Sequence, residues 1–136
     1  INDYLQSNSK LYSINTMFST SHKKKHYVTD LHRDYDDEHF LSLFIYWTDT
    51  FKNDGATYFV PKSHRKSLSK NKNGLHLEGK AGSVYLIDSF GLHSGNKNIK
   101  KNRLVSWFRF SKNQINVASF DNKDYLFFEY YNELWK

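Results

Sequence analysis

A chain of 136 residues with 18% aromatics, one proline and six glycines is long enough to bury one core and too rich in apolar bulk to stay disordered. The absence of cysteine excludes disulfides, thiolate metal sites and cysteine nucleophiles. The net charge of +6 is mostly lysine scattered along the chain, which reads as a solvated surface rather than a nucleic-acid footprint.

Residues 1–9 are polar and give no pattern. The first residue is Ile rather than Met, no signal-peptide pattern follows, and no apolar run reaches the roughly 18 residues of a membrane span. A cytoplasmic protein is expected, preceded by sequence from a longer reading frame. Leu11 to Ser19 leans toward a strand, and the basic run around Lys23-Lys24-Lys25, flanked by His22 and His26, reads as an exposed turn. Tyr27 to Asp34 is expected to be a short strand. Asp36-Asp37-Glu38 repels itself unless a cation is near, and is expected to be a solvated turn.

Phe40 to Trp47 is the most apolar run, rich in β-formers and too short for an ordinary helix, so it predicts a central strand buried on both faces. A loop closed by Asp54-Gly55 follows, then a strand from Ala56 to Val60 that Pro61 stops. Lys62 to Asn73 is a lysine-rich exposed excursion. Leu75 to Glu78 predicts a short strand, Gly79 to Gly82 a turn, and Ser83 to Asp88 a strand. Ser89 to Asn102 is a second polar loop carrying His93, and Arg103 to Phe110 is a clear strand. The aromatic tail beyond Phe120 has the pattern of a short helix. With no repeat and no linker, residues 1–136 are expected to form a single domain, all-β in the main.

One triplet carries chemistry. His32 and Asp34, two residues apart in an extended segment, point to the same side, while Arg33 between them faces away. With His93 far downstream they would place two imidazoles and a carboxylate on one side of an ion, the facial arrangement of non-haem Fe(II) oxygenases. Alone, each residue also fits a plain turn or surface position. Arg103, ten residues after His93, offers a planar donor fork matched to a carboxylate. Arg109 is its rival, on the same face of the same strand. His64 reads as structural, and His22, His26, His39 and His76 as solvated. Tyr46 and Trp47 read as core or pocket wall.

An ordered series of short motifs goes further. His32-x-Asp34, Tyr46-Trp47-Thr48-Asp49, Asn53-Asp54-Gly55-Ala56, Val60-Pro61-Lys62-Ser63-His64-Arg65, Ala81-Gly82, His93 and Arg103 follow one another as in the phytanoyl-CoA dioxygenase family. The chain resembles that family over about residues 27–110. The resemblance implies a double-stranded β-helix of the jelly-roll or cupin type. It implies Fe(II) held by His32, Asp34 and His93, and 2-oxoglutarate bound through Arg103. The implied reaction uses O2, with ascorbate as a stimulant, and converts 2-oxoglutarate to succinate while a small-molecule substrate is hydroxylated. Asp34 itself favours hydroxylation, because related halogenases carry a small residue there. The chain departs from the family pattern at Thr29, where Gln is common, and at Lys62, where Pro-Gly-Ser-His is usual. It also lacks a serine shortly before Arg103.

The basic loop 62–73 hints at an acidic substrate; no nucleic-acid motif is present, and the oligomeric state is open. The competing reading is a catalytically silent β-helix domain that binds a metal, a sugar or an acidic partner.

Overall fold

The computed structural model describes residues 1–21, 30–37, 39–65, 73–95 and 100–112. Among the described residues one helical turn, α1 (Asn2–Leu5), precedes seven strands: β1 (Lys10–Ser19), β2 (Phe40–Tyr46), β3 (Tyr58–Phe59), β4 (Leu75–His76), β5 (Val84–Ile87), β6 (His93–Ser94) and β7 (Arg103–Ser111). All strand pairs are antiparallel, in a four-stranded sheet ordered β1-β7-β2-β5 and a three-stranded sheet ordered β4-β3-β6. Two antiparallel sheets with almost no helix make the expected jelly-roll, cupin-like fold. Among the described residues no helix is long and apolar enough to cross a membrane.

Strand periodicity decides which side chains enter the core. On β2, Phe40, Ser42 and Tyr46 are buried on the inner face; Tyr46 sits between the sheets and donates its hydroxyl proton to the Leu77 carbonyl beside β4 (2.8 Å). Val105 of β7 lies opposite Tyr46 and is fully buried. Ala56, Val60 and Leu77 close the core from the smaller sheet. The register of β1 against β7 shifts between Leu11 and Ser13, so Tyr12 bulges out of the ladder and its hydroxyl reaches Asp36.

Several expectations change. Leu43 and Ile45 of β2 are only half-buried, because the outer face of the large sheet, with Ile14, Phe18, Val84 and Leu86 exposed, is left open by the described residues; Phe44, on the inner face, is half-buried too. Residues 30–34 form no strand; His32 makes a single bridge to His93. His93 is not in a loop, since β6 pairs with β3. Residues 1–9, patternless in sequence, hold α1. Trp47 is exposed whereas Tyr46 is core. His76 is half-buried against the Tyr58 ring, while His39 is exposed as expected. The expected tail helix, the run around Lys23 and most of the excursion after Arg65 lie outside the described residues.

Turns follow their residues. Gly55 takes the left-handed conformation (φ 98°) that closes the 3-10 turn Lys52–Asp54. Lys62 adopts the same region (φ 64°) without glycine's freedom, at the position where the family pattern has Gly.

Candidate metal centre

The backbone brings the two histidines together. The amide of His32 donates to the carbonyl of His93, and the amide of His93 to that of His32, both at 2.9 Å. Such a bridge puts both side chains on one side of the sheet, and the rings lie 4.4 Å apart. Two residues on, the amide of Asp34 donates to the Ser89 carbonyl (3.0 Å) and keeps the segment extended. Its carboxylate therefore returns to the same side, 3.8 Å from Nε2 of His32 and 3.6 Å from Nε2 of His93.

The ring nitrogens are sorted by their partners. Nδ1 of His32 donates to the Asp30 carbonyl (2.7 Å), and Nδ1 of His93 to the Gly91 carbonyl (2.9 Å). With the proton fixed on Nδ1, each Nε2 presents its lone pair toward Asp34, as a metal-ligating histidine must. Burial pushes the His93 imidazole below its ordinary value of 6.5 against the opposing pull of Asp34, so the ring is neutral at pH 7. The three residues offer donor atoms within 4.8 Å of one another. Ligand bonds of about 2.0–2.2 Å would need the donors to close up by an amount within side-chain torsion. Two imidazoles and one carboxylate on one side suit a divalent transition metal and leave further positions open.

The supporting shell explains other residues of the motif series. Arg33 faces away from the donors, as its place in the triplet predicts. Its guanidinium donates to the carbonyls of Phe90 and Ser63 and lies 5.2 Å from the centre of the Phe90 ring. Ser63, buried after Pro61, donates to the Val60 carbonyl (2.6 Å) and accepts from the Leu92 amide (2.6 Å). Arg33 and Ser63 thus fasten the segment that carries His93. Gly91 permits the close approach, since a Cβ there would meet the Phe59 ring at 2.9 Å and the Asp88 carbonyl at 3.0 Å. His64 sits in the short 3-10 turn Ser63–Arg65 and is not among the three clustered donors.

The two arginines of β7 separate in role. Arg103 is 5% exposed and lies 5.6 Å from the centre of the Tyr46 ring. Its Nε has no hydrogen-bond partner, and no carboxylate among the described residues pairs with it. Burial pushes its guanidinium below the ordinary value, although arginine keeps its charge at any physiological pH. A buried cation with a spare donor fits a carboxylate supplied from outside the chain.

Arg109, its rival in the sequence, is engaged. It donates to Asp34 Oδ2 at 2.9 Å and to Asp36, which also accepts the Tyr12 hydroxyl (2.7 Å). Asp37 in turn accepts from the Ser111 hydroxyl. At Asp36 and Asp37 the acidic run is therefore no solvated turn; Glu38 lies outside the described residues. Asp36 and Asp37 are half-buried with partners from β1 and β7, and the self-repulsion noted in the sequence is relieved by Arg109. The same-face spacing of Arg103 and Arg109 was the available signal; what each would meet was not in the sequence.

The chain covers 82% of itself and 50% of the non-haem α-ketoglutarate-dependent epimerase SnoN from nogalamycin biosynthesis, at 19% identity and TM-score 0.66. It matches the nickel complex of the non-haem monooxygenase ThoJ at 14% identity and TM-score 0.66, over 82% of this chain and 47% of that one. HygX from Streptomyces hygroscopicus, solved with nickel and 2-oxoglutarate bound, matches at 14% identity and TM-score 0.63, over 83% of this chain and 60% of its own. At these identities the likeness concerns the fold, and the chain spans about half the length of these structures. No curated protein matches the sequence. The family model described as phytanoyl-CoA dioxygenase (PhyH) matches residues 3–103, reaching upstream of the motif series to include α1 and β1. With that match spanning most of the sequence, on a jelly roll that gathers the family's metal motif into one cluster, the chain belongs to the phytanoyl-CoA dioxygenase family.

Proposed function

We propose that residues 1–136 form one oxygenase domain that uses Fe(II) and 2-oxoglutarate to hydroxylate a small molecule. In this reading His32, Asp34 and His93 hold the iron, and Arg103 binds the distal carboxylate of 2-oxoglutarate. The observation that carries the reading is the convergence of two Nε2 lone pairs and one carboxylate on a common point. Support comes from HygX, a structural neighbour solved with iron and with nickel plus 2-oxoglutarate, and from the buried Arg103, whose Nε has no hydrogen-bond partner.

When bound, the iron and 2-oxoglutarate supply the oxidising power, with O2 and with loss of CO2 to give succinate. The protein's own work is positional. The Asp30 and Gly91 carbonyls hold the two imidazoles in the tautomer that donates a lone pair. Asp34 supplies the single negative charge among the ligands. Arg103, deep between the sheets beside Tyr46, fixes one end of the co-substrate so that the other faces the metal ligands. Three protein ligands would leave other positions of a bound ion open, which is what a chelating co-substrate would require. The Asp34 carboxylate favours hydroxylation, and the lysine-rich segment 62–73 favours an acidic substrate.

The test is succinate formation from 2-oxoglutarate with Fe(II), ascorbate and oxygen and no added substrate. Slow turnover that Asp34→Ala and Arg103→Ala both abolish is expected. No turnover, together with no 2-oxoglutarate-dependent rise in melting temperature, would sink the reading and leave a silent binding domain.

A further inference from the structure

We infer that Arg109 is a positioning residue that restricts Asp34 to one ligating oxygen. The inference rests on the metal-centre reading proposed above. A carboxylate can grip an ion through one oxygen or two, and the second mode would occupy a position that the co-substrate needs. Here the choice is made by hydrogen bonding. Both oxygens of Asp34 face the histidines, Oδ1 at 3.8 Å from Nε2 of His32 and Oδ2 at 3.6 Å from Nε2 of His93, but only Oδ2 also accepts from a terminal nitrogen of Arg109, at 2.9 Å. The guanidinium thus competes with an ion for Oδ2 and draws off its charge, which leaves Oδ1 the better donor.

Arg109 is in turn prevented from swinging away. Its other terminal nitrogen donates to Asp36, and Asp36 accepts the hydroxyl of Tyr12. Tyr12 reaches Asp36 only because β1 bulges at that residue. All three members of the Asp34–Arg109–Asp36 set are at most a quarter exposed (18%, 15% and 25% of the side chain). In so little water the planar fork of arginine sets direction as well as charge. One cation between two carboxylates also leaves a single net negative charge to face an incoming divalent ion, instead of two. The bulge at Tyr12, the acidic Asp36 and the second arginine of β7, none of which the metal ligands themselves require, thereby acquire one common purpose.

The test uses Mn(II) as the probe ion, with water-proton relaxation to count the waters left on the bound ion, and calorimetry for 2-oxoglutarate binding to the Mn(II)-loaded protein. Arg109→Met is expected to lose about one bound water, as Asp34 turns to a two-oxygen grip, and to weaken 2-oxoglutarate binding by about 10–100-fold. Arg109→Lys, which keeps charge without the fork, should fall between the two. Asp36→Asn leaves Arg109 in place but loosens it, so a smaller loss in the same direction is expected; this variant carries the test if Arg109→Met does not fold. Wild-type water count and 2-oxoglutarate affinity in folded Arg109→Met, or in Asp36→Asn if that is the variant measured, would overturn the inference alone. Failure of the wild-type protein to bind Mn(II), or Mn(II) binding unaffected by Asp34→Ala, would overturn the metal-centre reading and this inference with it.

Discussion

The two ends of the inner face of β7 carry the same residue in opposite surroundings. Arg103 and Arg109 lie six residues apart, about 20 Å along the strand. At one end Arg109 is held by Asp34 and Asp36, so its charge is balanced from within the chain. At the other, Arg103 is more deeply buried beside the Tyr46 ring, with Nε unpaired and no carboxylate partner among the described residues. Burial and parity therefore do not tell what an arginine is for. The balance of charge around it does. The balanced end has the makings of a scaffold for metal ligands, and the unbalanced end those of a receptor for an anion.

The largest effect that would sharpen this contrast is on stability. Arg109→Met leaves two half-buried carboxylates facing each other, and should lower the unfolding free energy of the metal-free protein by about 3 kcal/mol. Urea denaturation measures it; a loss well under 1 kcal/mol would mean the balanced end is not held by its ion pairs. Arg103→Met should do the reverse. Removing an unpaired buried charge leaves the metal-free protein no less stable than the wild type. The wild type with metal should gain about 2.7 kcal/mol from 2-oxoglutarate at a hundred times its Kd, and the variant nothing. If the variant keeps that gain, Arg103 is not the anchor and the contrast breaks.

Lys62→Gly tests neither arginine and serves as the control. Relief of the left-handed conformation should raise stability by about 1 kcal/mol, without altering the response to Mn(II) or 2-oxoglutarate. An altered ligand response would show that the turn before Ser63 shapes the site.

The smallest effect is at alkaline pH. Burial, and then the Asp36 carboxylate, push the Tyr12 phenol above its ordinary value of 10. The stability this contributes is complete below pH 10 and is lost as pH rises through the raised folded-state value. Denaturation at a series of alkaline pH values should show a decline that Tyr12→Phe flattens. An unchanged slope in the variant would separate Tyr12 from the Asp36–Arg109 set.

Much of the architecture was legible because strand periodicity and turn chemistry are local. Lys10–Ser19, Phe40–Tyr46 and Arg103–Ser111 lie within a residue of the runs that predict them. Gly55 closes its turn as its backbone requires, whereas β3 is only Tyr58–Phe59 and ends two residues before Pro61. His32 and Asp34 stood out by their spacing, and His93 and Arg103 by their order in the family resemblance; the structure clusters the first three. What the sequence could not decide was non-local. The smaller sheet is built from two-residue strands too short to show a period, so His93 read as a loop residue until its pairing with His32 and Phe59 was seen. The fate of Asp36 depended on a bulge in β1 and on an arginine 73 positions away. Only the tertiary structure decides such charge balance, because a carboxylate's environment is set by whichever distant strand folds against it.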